Sequence, residues 1–459
     1  MDNTSTIAAI STALSNSGIG IVRISGEDAF EIANKIFKPF NETQKFTDFK
    51  SHTVHYGFVH DGDKTIDECL ALFMRGPHTY TREDVVEIDC HGGVLVVKKI
   101  LETVLKAGAR PAEPGEFTKR AFLNGRIDLS QAEAVMDIIN AENSYALDSS
   151  VKQLKGAVSD SIKEIRAILI NRIAYIESAL DDPEHYSLEG FPKELAADVK
   201  SSKEKISGLL STADNGRIIK EGIKTVILGK PNVGKSSLLN NLLGEERAIV
   251  TDIAGTTRDA LEETLKLNDV LLNIIDTAGI RNTDDLVEKI GVEKAKAYAD
   301  EADLIIFVVD SSKPLDENDA DIINIVKDKK VISLLNKSDL ESVVNKEDLE
   351  RLLDGPVINI SALENTGIEE LSNEIKKMFY ENKISYNNQI YITNARHKAL
   401  LSDSLESLRL VEKSIEDNMP EDFFSIDLMN AYESLGLIIG EAVEDDLVEE
   451  IFSKFCMGK

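Results

Sequence analysis

Apolar residues recur at helical spacing in two separate stretches of the chain. The first stretch contains Ile162, Ile165, Leu169, Ile173, Ile176 and Leu180. The second contains Leu401, Leu405, Leu408, Val411 and Ile415. Steps of three and four residues place each set on one face of a helix, and such a face packs into a core more often than against a partner. The first helix is predicted to end at Asp181-Asp182-Pro183, because proline does not continue a helix.

Between these two stretches, short continuous apolar runs predict buried β-strands. They are Thr225–Leu228, Leu271–Ile275 and Val331–Leu335. Ser237–Leu243 predicts a helix that stops at Gly244, and strands followed by helices indicate a parallel sheet. The most economical architecture is a helical domain, residues 119–216 and 383–459, with an α/β domain, residues 217–382, inserted into it.

Residues 1–118 show a mixed pattern that predicts an α+β domain. Strands are predicted at Ile19–Ile24, Ser51–Val59 and Val85–Cys90, where apolar residues alternate or form short runs. Helices are predicted at Asp28–Phe37 and Val94–Lys106. The fold class predicted for the whole chain is therefore multidomain α/β.

Composition narrows the class of protein without identifying it. The 459 residues are 42% hydrophobic and 29% charged, which is typical of globular domains. The sequence has no run of eighteen apolar residues and no basic stretch followed by an apolar leader, so neither a membrane span nor a signal peptide is expected. Cys69, Cys90 and Cys456 are few and far apart, which favours free thiols in a reducing cytoplasm.

The net charge of −29 disfavours nucleic-acid binding over most of the surface, because phosphate would be repelled. Contact with RNA would need a local basic patch or a partner protein. Residues 98–126 contain seven basic and three acidic residues, a local net charge of +4. That stretch is the best candidate for contact with an anionic ligand.

The strongest chemical signal begins directly after the first predicted strand of the inserted block. Residues 229–236 match G-x-x-x-x-G-K-[ST], a loop whose backbone N–H groups face phosphate. Lys235 is placed to reach the β- and γ-phosphates, and the Ser236 hydroxyl to bind Mg²⁺. A glycine-rich turn without a ligand is the alternative, but the strand, loop, Lys-Ser pair and helix all occur together.

Further motifs follow in the order expected of a GTP-binding domain. Residues 276–279 match D-x-x-G, which supplies a carboxylate for a Mg²⁺-bound water and an N–H near the γ-phosphate. Residues 336–339 match N-K-x-D, and Asp339 can accept hydrogen bonds from the N1 and 2-amino donors of guanine, which adenine lacks. Ser361 and Ala362 would support the base. Together these motifs select GTP over ATP, and the block resembles the Ras-like GTPase domain.

One departure from the Ras pattern changes the expected mechanism. Ile280 stands after the D-x-x-G motif, where Ras has a glutamine that orients water. The Ile280 side chain cannot hydrogen-bond to water, so another group must orient it and another charge must replace an arginine finger. Asn232, in the phosphate loop, is an uncharged oxygen ligand that can help to hold a monovalent cation in the finger's place.

Five segments spread over the sequence extend the resemblance beyond the GTPase block. They are residues 20–26 (GIVRISG), 86–93 (VEIDCHGG), 114–129 (PGEFTKRAFLNGRIDL), 252–259 (DIAGTTRD) and 451–459 (IFSKFCMGK). The last segment lies far from the GTPase motifs and is highly specific. With these segments, essentially the whole chain resembles the tRNA-modification GTPase MnmE (TrmE) family.

The resemblance implies a GTP hydrolase with a folate-binding N-terminal domain (1–118) that also dimerises, a two-part helical domain (119–216 and 383–459) and an inserted GTPase domain (217–382). It implies nucleotide contacts from Asn232, Val233, Gly234, Lys235, Ser236, Ser237, Thr251, Thr256, Thr257, Asp276, Gly279, Asn336, Lys337, Asp339, Ser361 and Ala362. It implies Mg²⁺ on Ser236 and Thr257, and a water-orienting carboxylate at Glu288. It implies K⁺ on Asn232, Thr251, Ile253 and Thr256.

The family is also similar in binding 5-formyl-tetrahydrofolate or a related reduced folate. The implied folate residues are Arg23, Glu87, Arg126 and Lys459. Many members have lysine at the position of Arg126, and arginine keeps the charge but changes the donor geometry. Arg23 and Arg126 can meet the anionic glutamate tail of the folate, and Glu87 can accept from donors on the pterin ring.

The activity implied by the resemblance is the modification of the wobble uridine of certain tRNAs at C5. A homodimer would act in a heterotetramer with an FAD-dependent partner of the MnmG (GidA) type, adding an aminomethyl or carboxymethylaminomethyl group from a folate one-carbon unit. The chain has no flavin or nicotinamide fingerprint, so the redox step would fall to the partner.

Two alternative functions compete with tRNA modification as an interpretation of the sequence. A ribosome-assembly GTPase that acts as a binding switch predicts a basic RNA-binding appendage, yet residues 421–459 hold ten acids against two lysines. Folate storage or scaffolding leaves the GTPase motifs unexplained.

Overall fold

The computed structural model of the chain describes residues 5–41, 49–186, 188–245, 262–275, 291–381, 390–441, 443, 445–456 and 458. The chain divides into two compact units. The first unit comprises Met1–Met136, Gln153–Ser202 and Asp403–Lys459, and the second comprises Asp137–Lys152 and Lys203–Ser402. The boundaries of the N-terminal, helical and GTPase domains stay a prediction.

A seven-stranded sheet forms the N-terminal part of the first unit. Its strands are β1 (Ile7–Ile10), β2 (Ser17–Ser25), β3 (Phe37–Pro39), β4 (Thr53–Asp61), β5 (Lys64–Met74), β6 (Val85–Gly92) and β7 (Arg110–Pro111). The strand order is β3-β4-β5-β6-β2-β1-β7, and every pair is antiparallel except β1 and β7. The three strands predicted in this region are therefore confirmed as β2, β4 and β6.

Two helices, α1 (Ala29–Ile36) and α2 (Val94–Lys106), pack on one face of this sheet. Their apolar residues share one core with the strands, and that core includes Ile32, Ile36, Val97, Ile100, Val104, Val22, Ile24, Phe73 and Ile88. The alternation of strand side chains sends the intervening residues to the opposite face. Both helices lie where the sequence predicts them, and a further helix, α3 (Glu116–Leu123), follows the sheet.

A series of helices follows, and it includes the helix predicted from the first apolar stripe. Its helices are α4 (Leu129–Ile139), α5 (Ser144–Leu154), α6 (Ala157–Asp181), α7 (Phe191–Leu210) and α8 (Ala213–Glu221). In α6 the apolar stripe from Ile162 to Ile176 is buried and the helix ends at Asp181, as predicted. Leu180 departs from the prediction because it is 48% exposed, one residue before the helix ends.

The second unit contains a six-stranded sheet with helices between its strands. The elements are β8 (Ile223–Leu228), α9 (Lys235–Glu245), β9 (Glu262–Leu267), β10 (Val270–Ile275), α10 (Gly291–Glu301), β11 (Leu304–Asp310), α11 (Glu317–Val326), β12 (Val331–Asn336), α12 (Lys346–Glu350), β13 (Val357–Asn359) and α13 (Ile368–Lys376). The strand order is β13-β12-β11-β8-β10-β9, and among the described strands of this sheet only β9 and β10 pair antiparallel. The predicted strands are confirmed, and α9 starts at Lys235 and runs one residue past Gly244.

Three helices complete the described chain: α14 (Ala395–Glu416), α15 (Asp422–Ile439) and α16 (Asp445–Ser453). Within the first unit α15 packs along α6, where the Arg166 guanidinium lies 3.9 Å above the Tyr432 ring and also pairs with Glu441. Among the helices of the described part of the chain, none is both long and apolar enough to cross a membrane.

Candidate functional site

The phosphate loop lies between the carboxyl end of β8 and the start of α9. Open parallel sheets bind ligands outside the carboxyl ends of their strands, so the loop is at the expected edge. Gly229 has φ +154° and Gly234 has φ +101°. A Cβ at Gly229 would lie 2.4 Å from the Val308 carbonyl oxygen, and one at Gly234 would lie 2.2 Å from Asn336 Nδ2. Both positions therefore require glycine.

The side chain of Lys235 bends back over this loop. Its Nζ donates to the carbonyl oxygens of Gly229 (2.7 Å) and Lys230 (2.8 Å). Burial lowers the pKa of Lys235 to about 8, because the ammonium loses water. Ser236 follows in the first turn of α9 and is half-buried. The lysine is thus held at the mouth of an anion-binding helix terminus.

GTP affinity is expected to fall as the pH rises above about 8, where Lys235 loses its proton in the free protein. Below that pH the ammonium is already formed, whereas above it binding must take up a proton, which costs up to about tenfold in affinity per pH unit. Calorimetry at about pH 7.5 and about pH 9, in two buffers of different ionisation heat, measures that uptake. Lys235→Arg, which stays protonated, should show none. Equal wild-type affinities at both pH values would contradict the expectation.

Asn336, at the end of β12, ties the phosphate loop to the loop that follows β13. Its Nδ2 donates to the Val233 carbonyl oxygen (2.7 Å), and its Oδ1 accepts from the Ala362 backbone N–H (3.0 Å). Asn336 is 2% exposed. A buried amide with both ends satisfied holds two loops at a set distance. The structure therefore brings together the phosphate loop, the N-K-x-D segment and the segment around Ala362, which the sequence analysis assigned to one nucleotide site.

Lys337 is held by a residue that the sequence reasoning missed. Lys337 has φ +65°, and its Nζ donates to Asp310 Oδ2 at 2.6 Å. Burial opposes ionisation of Asp310, but hydrogen bonds from Lys337 and Ser312 keep its pKa below the usual value. Asp310 follows six apolar residues at the carboxyl end of a buried parallel strand, and that position was the signal available in the sequence.

Asp339, the predicted guanine reader, is exposed and oriented by Ser361. The Ser361 hydroxyl donates to Asp339 Oδ1 at 2.5 Å, and the backbone N–H of Ser338 donates to the Ile360 carbonyl oxygen at 3.1 Å. The loop after β12 is thereby fastened to the loop after β13. Chemically, this arrangement can present a fixed carboxylate to a base with two adjacent donors.

A second cluster lies in the first unit, on the sheet face opposite α1 and α2. Arg23 and Glu87 face each other across β2 and β6, and Arg23 Nε lies 2.6 Å from Glu87 Oε1. The Arg23 guanidinium lies 5.5 Å from the centre of the Tyr80 ring, and that of Arg126 lies 4.5 Å from it. Arg126 also donates to the Tyr80 carbonyl oxygen at 3.1 Å. Two guanidinium groups thus gather at one aromatic ring.

The end of the described chain reaches this cluster. The Gly458 carbonyl oxygen accepts from Ser11 Oγ (3.2 Å) and Arg23 Nη1 (3.4 Å). Gly458 has φ +88°, and a Cβ there would lie 2.2 Å from the Ile10 carbonyl oxygen. The structure therefore brings together Arg23, Glu87 and Arg126, and adds Tyr80, which sequence reasoning missed because it lies outside the family motifs.

The net charge of +4 calculated for residues 98–126 is larger than the positive charge that remains unpaired in the folded chain. Lys106 Nζ lies 2.8 Å from Asp61, and Arg120 Nη1 lies 3.0 Å from Glu83, so acids outside the stretch neutralise both cations. Arg110 pairs with Glu116 inside it at 2.5 Å. Arg126, by contrast, forms no ion pair within the part of the chain that the structure describes.

The remaining predicted site residues lie outside the described residues. They are Thr251, Ile253, Thr256, Thr257, Asp276, Gly279, Glu288 and Lys459, together with Ile280. Their assigned roles stay predictions.

Known proteins match the chain in both of its compact units. The family model described as the MnmE helical domain matches residues 129–456, and the one described as the GTP-binding protein TrmE N-terminus matches residues 6–126. The tRNA modification GTPase MnmE of Lachnoclostridium phytofermentans is 60% identical over 456 residues, 99% of this chain and 100% of the relative. That of Acetivibrio thermocellus is 49% identical over 457 residues, 99% of each chain.

A solved structure matches over a shorter part of the chain. The G domain of the T. maritima FeoB iron transporter is 28% identical, covering 34% of this chain and 97% of its own, with a TM-score of 0.26. A likeness of that size has no bearing on the function.

Proposed function

The chain belongs to the tRNA modification GTPase MnmE family and is a GTP hydrolase, and from this premise we propose that it drives a folate-dependent modification of tRNA. Its GTP hydrolysis depends on K⁺, and with an FAD-dependent partner it modifies the wobble uridine of certain tRNAs at C5. The product is an aminomethyl- or carboxymethylaminomethyl-uridine. The observation that carries the proposal is the presence in one chain of the Asn336-linked GTP loops and of the Arg23–Tyr80–Arg126 cluster.

The hydrolytic roles follow from the chemistry of the side chains. Lys235 would bind the β- and γ-phosphates, and Ser236 and Thr257 would hold Mg²⁺, whose charge would offset that of the phosphate oxygens. Glu288 orients the attacking water. Two features of the phosphate loop support this fit because both suit a polyphosphate: the two positions that require glycine and the ammonium group held over the loop.

The K⁺ site would use oxygen ligands in place of an arginine finger. Asn232, Thr251, Ile253 and Thr256 supply them. Asn232 is exposed in the phosphate loop with φ +63°, a left-handed conformation that asparagine tolerates. Its exposed amide oxygen would be one of the ligands of the cation.

The folate site would use Arg23, Glu87, Arg126 and Lys459. An aromatic ring with two guanidinium groups suits a ligand that has both a flat ring and carboxylates. A reduced folate has both parts, and when bound it supplies a one-carbon unit. Arg126, which is exposed and free of an acidic partner among the described residues, is the cation best placed for the tail.

The partner supplies what this chain lacks in its sequence, an FAD- and NADH-dependent redox centre. The protein would act in the cytoplasm as a homodimer that forms a heterotetramer with a partner of the MnmG (GidA) type. An acidic chain leaves most of the tRNA contact to a basic partner. GTP hydrolysis then gates the shared active site by a conformational change and does no carbon chemistry.

Reconstitution tests this proposal directly. In a mixture with tRNA, GTP, KCl, FAD, NADH, a methylene-folate and glycine or ammonium, the wobble uridine should be modified only when this protein and its flavoprotein partner are both present. Nucleoside mass spectrometry measures the product. Replacing KCl with NaCl should slow GTP hydrolysis and the modification together, and Asn232→Ala should make both salts equally slow. Complete modification by the partner alone, or equal hydrolysis rates in the two salts, would refute the proposal.

A further inference from the structure

The side chain of Lys230, in the phosphate loop, is fixed to the start of the helix α11. Its Nζ donates to Asp319 Oδ2 at 2.6 Å and to Asp316 Oδ2 at 2.7 Å. The Lys230 side chain is 13% exposed and that of Asp319 is fully buried, whereas Asp316 is half exposed. The motif G-x-x-x-x-G-K-[ST] leaves position 230 unspecified, so the sequence pattern assigns this side chain no role.

The two aspartates are themselves held in place by the first turn of α11. Asp316 Oδ1 accepts from the backbone N–H groups of Asn318 (3.0 Å) and Asp319 (3.2 Å). In return, Asp319 Oδ2 accepts from the Asp316 backbone N–H at 3.0 Å. This reciprocal arrangement is a capping box, and the buried residues Ile323 and Val326 pack the same helix into the core of its unit. The carboxylates therefore give Lys230 a rigid attachment point.

The backbone of Lys230 in turn orients the ammonium group of Lys235. Lys235 Nζ donates to the carbonyl oxygens of Gly229 (2.7 Å) and Lys230 (2.8 Å). A lysine ammonium has three N–H donors. Two of them are directed to the loop carbonyls, so the positions of these carbonyls determine where the third donor points. Movement of the Lys230 backbone would therefore change the direction of the donor that is proposed to meet the phosphates.

The residues beside Lys230 offer the loop little anchoring of their own. Gly229 has no side chain, and Pro231 has no backbone N–H to donate. The loop is held at Val233, where Asn336 Nδ2 donates to the carbonyl oxygen at 2.7 Å. The ion pairs of Lys230 hold it at a second point, nearer to the carbonyls that bind the ammonium group.

We propose that Lys230 is a positioning residue for GTP hydrolysis, because its ion pairs with Asp316 and Asp319 hold the carbonyl that orients Lys235. This inference rests on the phosphate-binding role proposed for Lys235, and it requires no contact between Lys230 and the nucleotide. Donors that are already aligned stabilise best the charge that develops on phosphate oxygens in the transition state. Loss of the Lys230 ion pairs should therefore lower kcat by a larger factor than it raises KM.

Lys230→Met tests this inference on the full-length protein, because methionine keeps an unbranched apolar side chain and removes the charge. The kcat should fall about 10–100-fold, the order expected when a catalytic group is misplaced by about 1 Å. Lys230→Arg should keep most of the wild-type kcat, since a guanidinium group can pair with both carboxylates. Hydrolysis rates over a range of GTP concentrations give kcat and KM separately.

Two further variants control for damage to the fold. Lys329→Met removes another lysine–aspartate pair of the same unit, in which Lys329 Nζ lies 2.8 Å from Asp300, and it should leave kcat and KM unchanged. Lys230→Met leaves the Asp319 carboxylate buried without its cation, which can destabilise the protein. The double variant Lys230→Met/Asp319→Asn removes that charge as well and should lose kcat to the same extent, because both variants abolish one interaction. Thermal melting separates a loss of folded protein from a loss of kcat.

A wild-type kcat in the folded Lys230→Met or double variant overturns the inference. An equal loss of kcat in Lys230→Arg and Lys230→Met also overturns it, because the effect would then not depend on the ion pairs. A higher KM with unchanged kcat does the same, because the lost interaction would act equally in the ground state and the transition state.

Lys235→Ala separates this inference from the role of Lys235. Slow hydrolysis by Lys235→Ala together with normal hydrolysis by Lys230→Met overturns the role of Lys230 alone. If Lys235→Ala binds and hydrolyses GTP like the wild type, the phosphate-binding role of Lys235 and this inference are refuted together.

Discussion

Replacing Glu288 with alanine is expected to lower kcat for GTP hydrolysis by about 10²–10⁴-fold, the range for losing one positioned general base or water-orienting group. The affinity for GTP should stay near the wild-type value, because such a group acts mainly in the transition state. Ile280 cannot orient water, so no neighbouring side chain of the D-x-x-G motif replaces Glu288. Single-turnover hydrolysis in KCl, with nucleotide affinity measured separately, gives both quantities.

Glu301→Ala provides the matched control for this experiment. Glu301 ends α10 and is exposed, so its removal should change hydrolysis little. In the reconstituted system the Glu288→Ala protein should also fail to support tRNA modification at the normal rate. A Glu288→Ala enzyme that hydrolyses GTP as fast as Glu301→Ala would mean that Glu288 forms only a surface contact.

Replacing Asp339 with asparagine is expected to weaken GTP binding by about 10²–10⁴-fold, because two hydrogen bonds to a charged acceptor are worth roughly 1.5–3 kcal/mol each. The amide also turns one acceptor into a donor that faces the guanine donors. Ser361 holds Asp339 through Oδ1, so an asparagine can keep that contact and the loop should stay folded. Titration with a fluorescent GTP analogue measures the loss.

Binding of xanthosine triphosphate distinguishes a change in base recognition from a general loss of nucleotide binding. Its 2-oxo group accepts where guanine donates, so Asp339→Asn should bind it more tightly than the wild type does. Asp354→Asn, an exposed aspartate in the same unit, should leave both affinities unchanged. Unaltered GTP affinity in Asp339→Asn would remove Asp339 from the guanine site.

Local patterns predicted part of the secondary structure, including the helix α6 and the strands β2, β4, β6, β8, β10 and β12. The spacing of Ile162 to Ile176 predicted a buried helix face, and that face is buried, because a 3.6-residue period is a property of the backbone alone. Leu180 continues that period and is nevertheless exposed, because burial depends on what packs nearby. The periodicity therefore predicted the helix correctly, but it did not predict how far along the helix the apolar face is buried.

The phosphate loop could also be assigned from sequence, since its function resides in one continuous segment. Its glycines were explained only by the fold, where Asn336 and the Val308 carbonyl leave no room for a Cβ. Asp310, which holds Lys337, is the last residue of β11, a strand that the sequence reasoning did not identify. Its partner lies 27 positions away, and no local pattern encodes that contact.

The sequence by itself determined the GTP motifs, the family and those helices and strands that have a clear apolar pattern, since each depends on residues close together in the chain or on motif order. Only the tertiary structure decided which charged side chains form ion pairs with one another. Lys106 and Arg120 pair with Asp61 and Glu83, which come from a strand and a loop outside residues 98–126. The free positive charge of that stretch is therefore lower than its net charge of +4. The Arg23–Tyr80–Arg126 cluster likewise joins distant segments. Electrostatic interactions act through space, so only the folded chain shows which cations and carboxylates remain free for a ligand.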